Sequence, residues 1–462
     1  MTKLNSGAHG FRPRGLRAAG ASVLAAACSL VLLPLAPASA GSLPPEEPAV
    51  APSHFHWGVA TSGFQVEGSN PDSNWKRYVD STAPTGKIDP VNDAVDFWNR
   101  YPEDIQRAAD MGVNTFRLSV EWARIEPQPG QYDEEALRHY DDIIGTIRAH
   151  GMTPMITMVH YVYPGWLVDH GGFMTEEAVE HFGAFADLIA QRWGGPGKDT
   201  LWVTFNEPLV FFGHEVEMGN VKVTDMPRFL DYVARAHRLG YEAAHRANPQ
   251  TMVTTNEAFL PAVTGIADKV LLDKVADQVD FIGIDYYYGV ALNNLTAVHA
   301  AAADFGRVRP QPEVIYDAIK HFGTSYPDKP IYIVENGMPS DNGQRADGVE
   351  RSDFVKDTIF WVQRAIADGY NVIGYNYWSL VDNYEWGDYT PRFGLYQVDV
   401  LSDPSLERKA TSGVDAYREV IEQGGLPADY RPVLPLAFCS ASTIPDSCIN
   451  PPDPNGPRQP IR

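Results

Sequence analysis

Short runs rich in β-branched and aromatic residues alternate along this chain with longer segments whose apolar positions recur about every 3.6 residues. The strand-like runs are Phe55–Ala60, Val113–Ser119, Thr153–Met158, Leu201–Phe205, Met252–Thr255, Val279–Tyr287, Pro330–Val334 and Val372–Tyr377, eight in all. Helical spacing occupies Asp93–Met111, Glu134–His150, Glu176–Trp193, Pro227–Arg246, Glu313–Phe322 and Glu350–Asp368. No linker interrupts this alternation from residue 54 to residue 424, and no short repeat runs through it. The pattern predicts an α/β fold, a single (β/α)8 TIM barrel over 54–424, with the C-terminal ends of all strands meeting around one pocket.

The polar residues of the strand-like runs gather at those ends. Gln65 follows the first run, Arg117 closes the second, and His160 and Tyr161 close the third. Asn206 and Glu207 end the fourth in TFNEP, Tyr286 and Tyr287 the sixth in DFIGIDYYYG, and Glu335 the seventh in IYIVENG. Trp378, Glu385 and Trp386 lie at and beyond the eighth in WSLVDNYEW. Two carboxylates facing one another across a barrel mouth can divide the cleavage of a glycosidic bond. One gives a proton to the leaving oxygen and the other attacks the anomeric carbon. Tryptophans interleaved with acids suit the apolar faces and hydroxyl edges of a pyranose. Taken singly, each residue has a plainer reading: Arg117 as a structural barrel-mouth arginine, His160 as a satisfied core histidine, Trp378 and Trp386 as core aromatics, Glu385 as a solvated charge.

Composition narrows the setting. A basic stretch (Lys3, Arg12, Arg14, Arg17) precedes an apolar run from Ala18 to Leu35 and an Ala38-Ser39-Ala40 site. This is the layout of a secretory signal peptide over 1–40, cleaved near Ala40, followed by a Pro-rich leader over 41–53, so the protein is expected to be secreted. The formal net charge of −22 becomes −26 once the four basic residues of that segment are removed. So acidic a surface disfavours nucleic acid or an anionic membrane as partner. Of the three cysteines, Cys28 falls in the apolar run, which leaves Cys439 and Cys448 as an expected disulfide in an exported chain. The pair lies in a Pro-rich extension over 425–462 whose last stretch, NPPDPNGPRQPIR, reads as a flexible tail, and Asn294-Leu295-Thr296 is a sequon.

From Phe55 to Tyr417 the chain resembles glycoside hydrolase family 1, the β-glucosidase family, and the ordered runs TFNEP, VENG and WSLVDNYEW carry the likeness. The resemblance implies an exo-acting retaining β-glycosidase that releases a terminal neutral sugar without metal or organic cofactor. It implies Glu207 as acid/base and Glu335 as nucleophile, with Arg117, Asn206 and Tyr287 around them. Gln65, His160, Asn206, Glu385 and Trp386 would hold the sugar hydroxyls, Trp378 would form a stacking floor and Phe393 a wall. In retaining enzymes the carboxyls lie about 5 Å apart, so one pKa rises, and the residue beside Arg117 is expected to be the ionised one.

The chain departs from the family pattern in several places. Asp285 replaces an Asn before the tyrosines, Val162 replaces an Asp, and the spacing from Trp386 to Phe393 is one residue short. With three consecutive tyrosines, Tyr287 is the expected partner of Glu335 and Tyr286 the fallback. The segment from Val210 to Pro227 reads as a shortened connection, which suggests tolerance of bulky aglycones. Three alternatives stay open: an endo-acting β-glucanase or mannanase, a diglycosidase, and a non-catalytic carbohydrate-binding barrel.

Overall fold

The structure, a computed structural model, describes residues 54–259, 268–289, 308–437, 439–440 and 446–461. The expected signal segment, the leader and the sequon lie outside them. Eight parallel strands close a barrel in sequence order: β1 (His56–Ala60), β2 (Thr115–Ser119), β3 (Thr153–Val159), β4 (Leu201–Asn206), β5 (Met252–Ala258), β6 (Ile282–Tyr286), β7 (Ile331–Asn336) and β8 (Val372–Trp378). Closure is made by β8 against β1, with His56 beside Gly374 and Ala60 beside Trp378. The principal helices are α1 (Phe97–Asp110), α2 (Glu134–Ala149), α3 (Glu176–Trp193), α4 (Met226–Ala247), α5 (Val314–Ser325), α6 (Arg351–Ala367) and α7 (Ser412–Gln423).

Local chemistry sets several helix starts. Asp133 accepts from the backbone N–H groups of Glu135 and Ala136 at the head of α2, and Thr175 accepts from Ala178 at the head of α3. Each side chain satisfies donors that the first turn leaves free, and acidic residues follow both caps.

Period-two alternation divides the strand side chains between two apolar layers. Met155, Leu201, Val203, Tyr332, Val334 and Ile373 form one cluster inside the barrel, while Ile156, Trp202, Ile331 and Ile333 join the larger core between strands and helices. Strict alternation would carry Glu335, next to inward-facing Val334, outward into that core. A register shift prevents this: Ile284 pairs with Ile333 but Asp285 pairs with Glu335, so Val334 is an extra residue and the strand is re-aimed. β4 has a comparable shift between Val203 and Asn206. Thr204 bonds His237 on α4 and Phe205 packs on Phe182 of α3, so Asn206 is returned to the barrel. Both shifts occur where polar residues replace apolar ones at the strand ends.

One sequence expectation takes a definite form and one is revised. The segment after Glu207 is a helix, Pro208–Met218, with Pro at its first position and Gly219 left-handed at its end. The last residues do not hang free: Ile461 is buried and donates its N–H to Gly424, and Arg364 of α6 donates to the carbonyl of Pro457. A proline that cannot join a sheet still presents its carbonyl, and Arg364 of the barrel takes that of Pro457. Cys439 and Cys448 form a disulfide. Among the described residues no helix is long and apolar enough to cross a membrane, and no group of His, Cys, Asp and Glu is disposed to hold a metal.

Candidate active site

Glu335 is delivered by the bulge in β7 and is only 3 % exposed. Its Oε1 is ion-paired with Arg117 Nη1, and its Oε2 accepts from the Tyr287 hydroxyl at 2.5 Å. Burial opposes the Arg117 charge, but Glu335, Asp285 and Tyr287 outweigh it and hold the guanidinium above its ordinary pKa. The other arms of Arg117 are occupied too, with Nε on Thr157 at 3.0 Å and Nη2 on Asn206 Oδ1 at 2.6 Å. The guanidinium is therefore a fixed fork that touches one carboxylate and the amide beside the other.

Glu207 sits one residue past β4 in a left-handed conformation, φ 37°, immediately before Pro208 opens its helix. Its N–H donates to the carbonyl of Asn256 at 3.0 Å, which ties this strained residue to the end of β5. Glu207 Oε2 accepts from the Tyr161 hydroxyl and, at 3.4 Å, from Asn206 Nδ2. Burial and then the charge of Glu335 raise its pKa to about 8, against the smaller opposing effects of Tyr161 and Arg117. Glu207 is thus a neutral acid at neutral pH. Glu335 instead engages a cation and a phenol directly.

Asp285 faces the same space. Its Oδ2 accepts from Asn256 Nδ2, which also donates to Asn206 Oδ1 at 2.8 Å, while its Oδ1 is buried without a partner among the described residues. Burial and then the charges of Glu335 and Glu207 raise its pKa well above the carboxylate range. Asp285 leaves the tyrosine assignment intact: Tyr287 reaches Glu335, whereas the Tyr286 hydroxyl donates to the backbone of Gln311.

A second set of predicted residues forms one wall beside the carboxyls. Gln65, in the short helix Gly63–Val66, donates to Asn383, to the carbonyl of Tyr384 and, at 3.4 Å, to Glu385 Oε2. Glu385 Oε1 accepts from Trp378 Nε1 at 3.2 Å, and burial lifts the Glu385 pKa to about 8. His160 lies nearly parallel to the rings of both Trp378 and Trp386, and burial keeps its imidazole neutral. The buried Gln65 Oε1 and His160 Nδ1 have no partner among the described residues, which suits them to hydroxyl donors. Phe393 meets Tyr287 edge to face and joins Trp378 and Ala60 in a small apolar cluster. Gly337 permits this closeness: a Cβ there would lie 1.8 Å from the Trp378 carbonyl oxygen, and the Trp378–Ser379 peptide is cis.

The structure thus gathers all eleven sequence-predicted site residues at one end of the barrel, with Arg117 inside β2 rather than at its end and Gln65, Glu385, Trp386 and Phe393 on the connections that follow strands. Two participants were missed as such. Tyr161 is visible in the sequence only as the neighbour of His160, and its contact with Glu207 depends on a left-handed backbone, φ 65°. Asn256 lies one residue beyond the expected fifth strand, and the only signal is an Asn where a β-branched run stops.

Comparison with known proteins agrees with this geometry. The family model described as glycosyl hydrolase family 1 matches residues 48–251 and 241–426. Beta-glucosidase A of Thermotoga maritima is 27% identical over 443 residues, covering 81% of this chain and 98% of that protein. The 1,4-beta-D-glucan glucohydrolase of Thermotoga neapolitana is also 27% identical, over 81% of this chain and 99% of its own length. Among solved structures, the family 1 b-glucosidase from Thermotoga maritima superimposes with a TM-score of 0.70 at 26% identity, covering 82% of this chain and all of that one.

Proposed function

The chain belongs to glycosyl hydrolase family 1, and on that premise we propose that it is an exo-acting retaining β-glucosidase that cleaves O-glycosides by double displacement. Glu335 attacks the anomeric carbon while Glu207 protonates the departing glycosidic oxygen, so the C–O bond to the aglycone breaks as the bond to Glu335 forms. Glu207, now an anion, takes a proton from water, whose oxygen displaces Glu335 and releases the sugar with its original configuration. The observation that carries the assignment is the unequal neighbourhood of the two acids: Arg117 and Tyr287 bond Glu335 directly, whereas Glu207 has no ion pair among the described residues and is bonded by Tyr161 and Asn206. Replacing Glu335 with Gly removes the nucleophile, so hydrolysis is lost and added azide restores turnover with an α-glycosyl azide as product. Hydrolysis surviving without azide in that variant overturns the assignment.

The glycone is a neutral sugar. Glu385, bonded to Gln65 and Trp378, puts an acid rather than a cation at this wall, so nothing there pairs with a phosphate and a 6-phosphoglucoside is not turned over. Exo action is tested on long β-glucans, where glucose must appear before any fall in viscosity. The compact helix Pro208–Met218 beside Glu207 supports acceptance of bulky aglycones. A clear preference for small aryl glucosides over bulky natural ones refutes that. Export is supported by the basic and apolar amino terminus and by the disulfide. Amino-terminal sequencing of the protein from culture medium checks cleavage after Ala40.

A further inference from the structure

Tyr161 holds one oxygen of the acid/base and leaves the other free. Its hydroxyl accepts from Asn206 Nδ2 at 2.8 Å and donates to Glu207 Oε2. Asn206 Nδ2 is itself within 3.4 Å of the same Oε2, whereas no donor among the described residues reaches Oε1. The tyrosine has little freedom: its left-handed backbone is fastened by Asn74 Nδ2 on its carbonyl at 2.8 Å, and its ring is enclosed by His160, Phe211, His214 and Trp386. Burial, and then the charges of Glu207 and Glu335, push its phenol well above its ordinary pKa, so it is a donor throughout the working range. We propose that Tyr161 is a positioning residue for proton transfer, confining the transferable proton of Glu207 to Oε1 and strengthening Glu207 as an acid; this rests on Glu207 being the acid/base.

The physical reason is that a neutral carboxyl has one proton to place. With Oε2 accepting from a phenol that cannot take the proton, the O–H must lie on Oε1, and a proton on the wrong oxygen is a wasted orientation of the catalyst. The donated bond also favours the anion formed when the proton leaves, so it lowers the free energy of the transfer itself. The other groups facing Glu207 are Glu335 on β7, Asp285 on β6, Glu257 on β5 and Arg117 on β2. The phenols of Tyr287 and Tyr288 lie beyond β6, and His214 stands behind the Tyr161 ring. None of these donates a hydrogen bond to Oε2.

The test is Tyr161→Phe, assayed for kcat/KM against pH on an alkyl β-glucoside and on 2,4-dinitrophenyl β-glucoside, whose leaving group departs without protonation. The expected result is a loss about tenfold larger on the alkyl glucoside than on the dinitrophenyl one, a fraction of what general acid catalysis supplies. The alkaline limb moves up by about half to one pH unit, the size of one net hydrogen bond. Equal losses on both substrates with an unmoved alkaline limb overturn the proposal and leave only a packing role. Should the Phe variant fold poorly, 3-fluorotyrosine at position 161, a stronger donor of nearly the same shape, is expected to move the alkaline limb down. An upward or absent shift overturns the proposal equally. If the wild-type protein hydrolyses neither glucoside, it is the functional assignment that fails rather than the role of Tyr161.

Discussion

Trapping the sugar on Glu335 removes a negative charge from beside Glu207, and the size of the resulting pKa change is calculable. In the free protein Glu207 is held at about 8, by burial first and by the charge of Glu335 second. Two unit charges about 5 Å apart, at an effective permittivity of about 20, interact by about 3 kcal/mol, or about two pKa units. Esterification of Glu335 should therefore drop Glu207 to about 6, where it can act as a base at neutral pH. The sign differs for the two half-reactions. Attack on the substrate needs protonated Glu207, so kcat/KM falls as pH rises through about 8. Release needs ionised Glu207, so the reactivation rate of a 2-deoxy-2-fluoroglucosyl enzyme rises with pH and levels off above about 6. The assay compares the pH profile of kcat/KM with that of reactivation, followed as the return of activity after excess reagent is removed. A reactivation rate that is still rising through pH 8 refutes the reasoning, because burial alone would then set the Glu207 pKa.

Other consequences follow from single residues. Arg117→Met leaves Glu335 buried without its cation and should destabilise the fold by about 3–5 kcal/mol in urea unfolding, whereas Arg117→Met with Glu335→Gln should recover most of that loss but no hydrolysis. Glu121 is a buried acid raised to about 8 by burial and by Glu67. Its stabilising contribution is complete below the ordinary carboxylate range and is lost as pH rises through about 8, so Glu121→Gln should raise Tm by about 2 °C at pH 8 and much less at pH 5. Removing the tail after Asp453 exposes the Arg364 and Gly424 contacts and should lower Tm without changing kcat.

The residues that were legible in the sequence are those whose position along a strand decides their place. Glu207 and Glu335 follow β-branched runs, and the barrel brings every strand end to one mouth, so their meeting needs only the strand order. Their orientation was not legible. Counting by twos from Val334 points Glu335 away from the pocket, and only the cross-strand pairing of β6 with β7 shows the extra residue that turns it back. A bulge is a relation between two strands, and a hydrophobic pattern describes one. Tyr161 was hidden for a related reason, since a left-handed tyrosine has no signature in residue type. The helix Pro208–Met218 is different: proline at its start and glycine at its end were in plain view, but its continuous apolar run, Leu209–Phe212, lacks the one-sided spacing that marks a surface helix.

The division of labour between the two acids reduces to how one cation is shared among three carboxyls. Glu335, Glu207 and Asp285 all face Arg117, and low permittivity forbids three anions there. Arg117 gives one nitrogen to Glu335 directly and another to Asn206, whose amide then contacts Glu207 and is contacted in turn by Asn256, the partner of Asp285. Glu335 takes the guanidinium directly, while contact through amides leaves Glu207 and Asp285 with raised pKa values. The amides matter because they cannot titrate: Asn206 hands on orientation without handing on charge. An acid at position 206 would instead add a fourth carboxyl and compete for the same guanidinium. Asn206→Asp should therefore cost more activity than Asn206→Ala at neutral pH, although aspartate is closer in shape to asparagine. The reverse order in kcat/KM would show that shape at this position outweighs charge.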